Sequence, residues 1–147
     1  MTNKFRHVGI VVSEIEDHSE FLTKVLDFKV ISDQMESGPF ISQMLQIESV
    51  EVRTVKFKSV DNGIIELLEF QQPRDLSKED SLMLPNSLGI THIAITVNSA
   101  ALIHRLCVER ELVPFSEPLI SPNGEVRVFY LRGPDQILYE IVEELTK

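Results

Sequence analysis

Along the chain, apolar positions alternate with polar or small ones in short runs, and between the runs they recur at helical spacing. In the first half this predicts a strand over 5–12, a helix over 14–26, and strands over 28–33, near 50–58 and over 63–70. Ser13 with Glu16 three residues on reads as a capping box for the helix. Ile15, Leu22, Val25 and Leu26 form its apolar stripe. Asp61-Asn62-Gly63 reads as a tight turn between two antiparallel strands. The second half predicts a strand over 90–97, a helix over 99–110 capped by Asn98 or Ser99, and strands over 112–115, 125–131 and 136–143. Pro122-Asn123-Gly124 reads as a turn. The expected fold is α+β: two tandem βαβββ modules, 5–70 and 90–145, within a single domain over 1–147. A linker over 71–89 joins them, with a weak pattern for a short helix.

The halves repeat in chemistry as well as in pattern. His7-Val8-Gly9-Ile10-Val11-Val12 matches His92-Ile93-Ala94-Ile95-Thr96-Val97, each a β-rich run opening on His with a tiny residue two positions on. Each half ends on Glu-x-x-Glu: Glu66 with Glu69, and Glu140 with Glu143. Strand alternation puts His7, Gly9 and Val11 on one face and Val8, Ile10 and Val12 on the other. His92, Ala94 and Thr96 divide likewise from Ile93, Ile95 and Val97. Each His thus sits opposite the helix-packing side, beside small neighbours that leave room for a ligand. Glu66 shares a face with Leu68 and Phe70, and Glu140 with Val142. A carboxylate among strand apolars is costly unless something pairs with it. A lone strand His is more often structural, and a lone Glu near a strand end more often solvated. Both types placed twice at equivalent positions point instead to one bound divalent cation, with His7, Glu66, His92 and Glu140 as ligands.

Other groups attract less attention. His18 and His104 are expected on helix surfaces or edges, and Glu69 and Glu143 as solvent charges. Cys107 is expected as a small core hydrophobe. Arg53, Lys56, Lys58 and Arg127 lie on strands that could face a pocket, with a solvated edge as the plainer expectation.

Composition narrows the function. With 147 residues, one cysteine, 14 Lys plus Arg and 23 Asp plus Glu, the net charge is −9. That field repels a phosphate backbone, so nucleic-acid binding is not expected. A local basic pocket for an anionic substrate remains compatible with it. No apolar run is long enough to span a bilayer, so no membrane partner is expected. The polar start and the single cysteine predict a cytoplasmic location.

The segments HVGIVV, FLTKVLDFKV, IIELLEF, GITHIAITV and ILYEIVE together resemble the successive motifs of the vicinal oxygen chelate superfamily, over nearly the whole chain. That superfamily includes lactoylglutathione lyase (glyoxalase I), methylmalonyl-CoA epimerase, fosfomycin-resistance proteins, extradiol dioxygenases and bleomycin-binding proteins. The resemblance implies paired βαβββ modules curled into a cup around a metal, with ligands from the first and last strands of each module. These positions are His7, Glu66, His92 and Glu140. Two departures touch the scaffold. Asp27 stands where a left-handed Gly is usual, and Gly133-Pro134-Asp135-Gln136 stands for the usual Asp-Pro-Asp-Gly turn.

A set of two imidazoles and two carboxylates suits one borderline divalent ion: Zn, Ni, Co, Mn or Fe(II). As a Lewis acid it would favour proton removal next to a carbonyl in a small substrate, such as a thioester or another compound with vicinal oxygens. The resemblance implies a lyase or isomerase, lactoylglutathione-lyase-like or epimerase-like. Its expected catalytic residues are Glu140 first and Glu66 second, and Glu48 is a weak candidate for a second base. The alternatives are an extradiol-type dioxygenase, against which a fourth ligand counts, and a metal-free antibiotic-binding protein. A homodimer is expected, with the site either within one chain or shared across subunits.

Overall fold

A computed structural model describes residues 4–75, 84–90 and 92–145. The chain divides into two compact units, Met1–Ser77 and Lys78–Lys147.

In the first unit, β1 (Val8–Val11) leads into α1 (Ile15–Glu20), which continues as a π-helical turn over Phe21–Val25. Then come β2 (Lys29–Ser37), α2 (Pro39–Leu45), β3 (Glu51–Lys58) and β4 (Ile64–Gln72). The sheet order is β1-β4-β3-β2, with β1 parallel to β4 and the other pairs antiparallel. The second unit repeats the plan. It holds β5 (His92–Thr96), α3 (Ala100–Glu109), β6 (Val113–Pro114), β7 (Leu119–Ile120), β8 (Val126–Arg132), a 3-10 turn over Pro134–Gln136, and β9 (Leu138–Glu144). Its order is β5-β9-β8-β6, with β5 parallel to β9 and β7 paired to β8. Both sheets are mixed and open, and each keeps the βαβββ order, with α2 added to the first and β7 to the second.

Alternation decides which side of each sheet is packed. Phe57, Ile65 and Leu67 are buried towards α1, as are Phe129, Leu131, Tyr139 and Ile141 towards α3, where Ala100, Ile103 and Cys107 meet them. Each fully buried large side chain of this kind contributes about 1.5–3 kcal/mol. Burial also raises the Cys107 thiol to about 11, so it is inert at neutral pH.

Several expectations need correction. The first helix starts one residue later than the expected cap: its N-cap is Glu14, which makes no side-chain cap. The N–H of Ile15 is instead donated to Glu69 Oε2 at 2.8 Å, and that of Ala100 to Glu143 Oε2 at 2.8 Å. The second glutamate of each Glu-x-x-Glu is therefore a helix-terminal partner and not a solvent charge; a carboxylate there satisfies an orphan donor and complements the helix dipole. Ser99 does cap α3, accepting from Leu102 N–H at 3.2 Å. His18 is fully buried, because it falls on the same helical stripe as Ile15 and Leu22. His104 is partly covered, edge-on to Phe129. α2 and β7 were not anticipated. α2 opens after Gly38, whose φ of 98° suits glycine, and buries Ile41 against Val50 and Val52, with Leu68 and Phe70 beside them. No helix forms over 84–90, and 76–83 lie outside the described residues.

Both scaffold departures have a structural counterpart. Asp27 takes φ 57°, and Asp135 and Gln136 take 53° and 63°. A Cβ at Gly133 would stand 2.8 Å from the Tyr139 ring, so the residue before Pro134 is small where a buried tyrosine fills the space.

Candidate functional site

The parallel ladder of each unit sets the site. Gly9 pairs with Glu66, and Ala94 with Glu140. His7 and His92 each stand two residues before that small partner, so the ladder brings each imidazole to its glutamate. His7 Nε2 lies 3.5 Å from Glu66 Oε2, and His92 Nε2 lies 3.3 Å from Glu140 Oε2. Two donors each about 2.0–2.2 Å from a shared ion, at tetrahedral to octahedral angles, stand about 3.0–3.5 Å apart. Each pair therefore has the spacing of two ligands to one cation. The four predicted residues come as two pairs, one per unit, and a metal needs more than two protein donors.

The antiparallel neighbour of each glutamate differs. Opposite Glu66 stands Lys56, whose Nζ is 3.6 Å from Glu66 Oε2. Opposite Glu140 stands Tyr130, whose hydroxyl is 3.4 Å from His92 Nε2 and whose ring meets the imidazole edge-on. Burial first, then the charge of Glu140 and a hydrogen bond to it, push the Tyr130 phenol above its ordinary value. It stays protonated at neutral pH, as a donor beside the carboxylate. Tyr130 escaped the sequence reading; the cross-strand position opposite Glu140 becomes visible once the β8–β9 register is known.

Among the other candidates, Arg53 faces α1, where Nε and Nη2 donate to Asp33 at 3.0 and 2.8 Å and Nη1 to Glu16 at 2.5 Å. This holds both carboxyls below their usual range, with the Arg53 hydrogen bond as the main cause. Arg127 pairs with Glu143 at 3.1 Å on the α3 side. Glu48 is exposed and precedes β3, whose first residue Glu51 is already about 16 Å along the strand from Lys56, so it is not brought to Glu66 by the β3–β4 register. Glu14, Glu16 and Glu69 cluster, but Arg74, Arg53 and the Ile15 N–H account for them.

No family model and no curated protein matches the chain. Solved structures do match its fold. A glyoxalase family protein from Bacillus cereus superposes with a TM-score of 0.89 over 99% of this chain and 97% of its own, at 22% identity. A glyoxylase/bleomycin resistance protein/dioxygenase domain from Frankia sp. gives 0.67 at 14% identity, covering 98% and 93% of the two chains. A genomically encoded fosfomycin resistance protein from Listeria monocytogenes gives 0.63 at 16% identity, over 97% and 94%. The chain therefore has the glyoxalase-like vicinal-oxygen-chelate fold that its motifs resemble.

Proposed function

We propose that the protein is a divalent-metal-dependent lyase or isomerase that moves a proton next to a carbonyl of a small substrate. The observation that carries this reading is the pair of His–Glu half-sites at identical register, each at ligand spacing. His7, Glu66, His92 and Glu140 would together hold the ion, within one chain or across two copies. A fosfomycin resistance protein of the same fold is known in complex with Mn(II) and a dihydroxypropylphosphonic acid, which supports a divalent ion on this scaffold. When bound, the ion would supply Lewis acidity to a substrate with adjacent oxygens.

The chain's own residues supply the proton chemistry. Glu140 stands on the last strand, and its neighbours Tyr139 and Ile141 are anchored in the core on the other face. A carboxylate on so firm a strand is held in position while remaining half-exposed to a substrate. It is the expected base, with Glu66 second. Tyr130, kept protonated beside it, can donate a hydrogen bond to the carboxylate or to a substrate oxygen. The test is solvent deuterium exchange at the carbon next to a carbonyl, run over a panel of α-hydroxy ketones, hemithioacetals and branched acyl thioesters with metal-loaded protein. Exchange that requires metal and is lost in Glu140→Gln supports the reading; exchange that persists in a metal-free sample rejects it.

A further inference from the structure

The second unit carries a buried cation outside the two His–Glu pairs. β8 turns Val128, Tyr130 and Arg132 to the face opposite α3, so Arg132 shares a face with Tyr130 and with the His92–Glu140 pair. Its residue exposure is 9%. Arg132 Nη1 donates to Gln136 O at a long 3.4 Å, and its guanidinium carbon lies 5.3 Å from the centre of the Phe115 ring. That ring lies nearly parallel to Tyr130, 6.4 Å away, and Phe115 N–H donates to Tyr130 O at 2.7 Å.

Among the described residues no carboxylate pairs with Arg132. Arg53, Arg74 and Arg127 all have one, although each is more exposed. A guanidinium has five N–H donors, and a ring contact is not a counter-ion. A buried charge left this way is costly unless something completes it. A planar fork of unused donors matches an oxyanion in two-point contact.

We propose that Arg132, with Phe115 and Tyr130 as an apolar wall, binds the oxyanion of the substrate: a carboxylate or a phosphoryl group. The placement of the reacting end at His92 and Glu140 rests on the function proposed above; the anion grip itself needs no metal. Tyr130 and Arg132 are about 7 Å apart along the strand, so the oxyanion lies only a few bonds from the reacting carbon. The net charge of −9 does not oppose this, because the field of a single nearby cation outweighs distant, solvent-screened charges at contact range.

Benzoate, phenylphosphonate and the neutral benzamide are suitable probes, each titrated into EDTA-treated and zinc-loaded protein and followed by amide chemical shifts. The anions should bind in both samples at least tenfold more tightly than benzamide, with the largest shifts at Phe115, Tyr130 and Arg132. The tighter of the two anions identifies the oxyanion. Arg132→Met should weaken the anions at least tenfold while leaving the melting temperature unchanged or higher. Arg132→Lys, which keeps the charge but not the fork, should recover part of the binding. Benzamide binding as tightly as benzoate, or anions binding Arg132→Met as they do the parent, overturns the proposal. So does an Arg132→Met protein that melts well below the parent, since that makes the guanidinium a structural group. Zinc uptake on the same samples depends on His7 and His92, so failure of the metal site registers separately from failure of the anion site.

Discussion

The two modules share a scaffold to the residue and differ in what they place around it. In both, a His precedes a small residue that pairs with a glutamate, and a second glutamate three positions on takes the first free N–H of the module's helix. Beyond that frame they part. The first module sets Lys56 opposite its site glutamate and lays α2 over one end of the site face. The second sets Tyr130 there, adds the short β7, and buries Arg132 with no carboxylate partner among the described residues. What is duplicated is the His–Glu pair and the strands that hold it; what has diverged is what stands opposite the glutamate. The first module ties its carboxylate to a cation, and the second places a proton donor beside its own.

The largest expected effect tests that division. Glu140→Gln should lower turnover by roughly two to four decades, the usual worth of a general base, while retaining part of the metal. Glu66→Gln should cost distinctly less. Equal losses, read as rates of deuterium incorporation, would make the two carboxylates equivalent and erase the functional asymmetry.

Stability should separate the capping glutamates. Glu69 is buried at 7% exposure, whereas the Glu143 side chain is 15% exposed and shared with Arg127. Glu69→Ala should cost about 1–3 kcal/mol by urea unfolding, because it strands a buried N–H at the start of α1. Glu143→Ala should cost less. A larger loss at Glu143 would reverse the ranking.

Lys56 offers a gain. A lysine about 5 Å from a divalent ion repels it by roughly 1.5 kcal/mol even in a water-like medium, so Lys56→Met should tighten metal binding by up to about tenfold. Tyr130→Phe, which removes no positive charge, should change affinity little. Calorimetric titration with zinc reads both, and an unchanged affinity in Lys56→Met would contradict the antagonism.

The smallest effect concerns the β8–β9 turn. Gln136 at φ 63° carries a left-handed penalty of about 1–2 kcal/mol. Glycine there gives part of that back as chain entropy, leaving a gain of up to about 1 kcal/mol for Gln136→Gly. Thermal melts should show a rise of about 2–4 °C per kcal/mol gained. Gly133→Ala, pressed against Tyr139, should move the other way.

Much of this was legible in the amino-acid order because a duplication reports register twice. His7 with Gly9 and His92 with Ala94, each followed far downstream by Glu-x-x-Glu, fix which face and which strands meet. Glu69 and Glu143 read as solvent charges because nothing in the strand pattern says that a helix N-terminus waits beside them. His18 lay on the apolar stripe at helical spacing, and its polarity masked that signal. α2 is a seven-residue helix behind Gly38 and Pro39, too short for a period to declare itself. Tyr130 and Arg132 depend on the cross-strand register of β8 with β9, which rests on the non-glycine left-handed turn at Asp135 and Gln136. Pro134 and Asp135 mark a turn there, but with Gln136 in place of glycine they do not fix its type or the register that follows.

In the proposed function His7, Glu66, His92 and Glu140 hold a single ion, within one chain or across two copies. Zinc titration of the parent, His7→Ala and His92→Ala, with stoichiometry determined by calorimetry and by metal analysis of the dialysed protein, tests it most directly. The parent should bind one ion per chain, and either variant should bind at least a hundredfold more weakly, because each removes a ligand of the same ion. Two ions per chain, or a variant that keeps the parent's affinity, would contradict it.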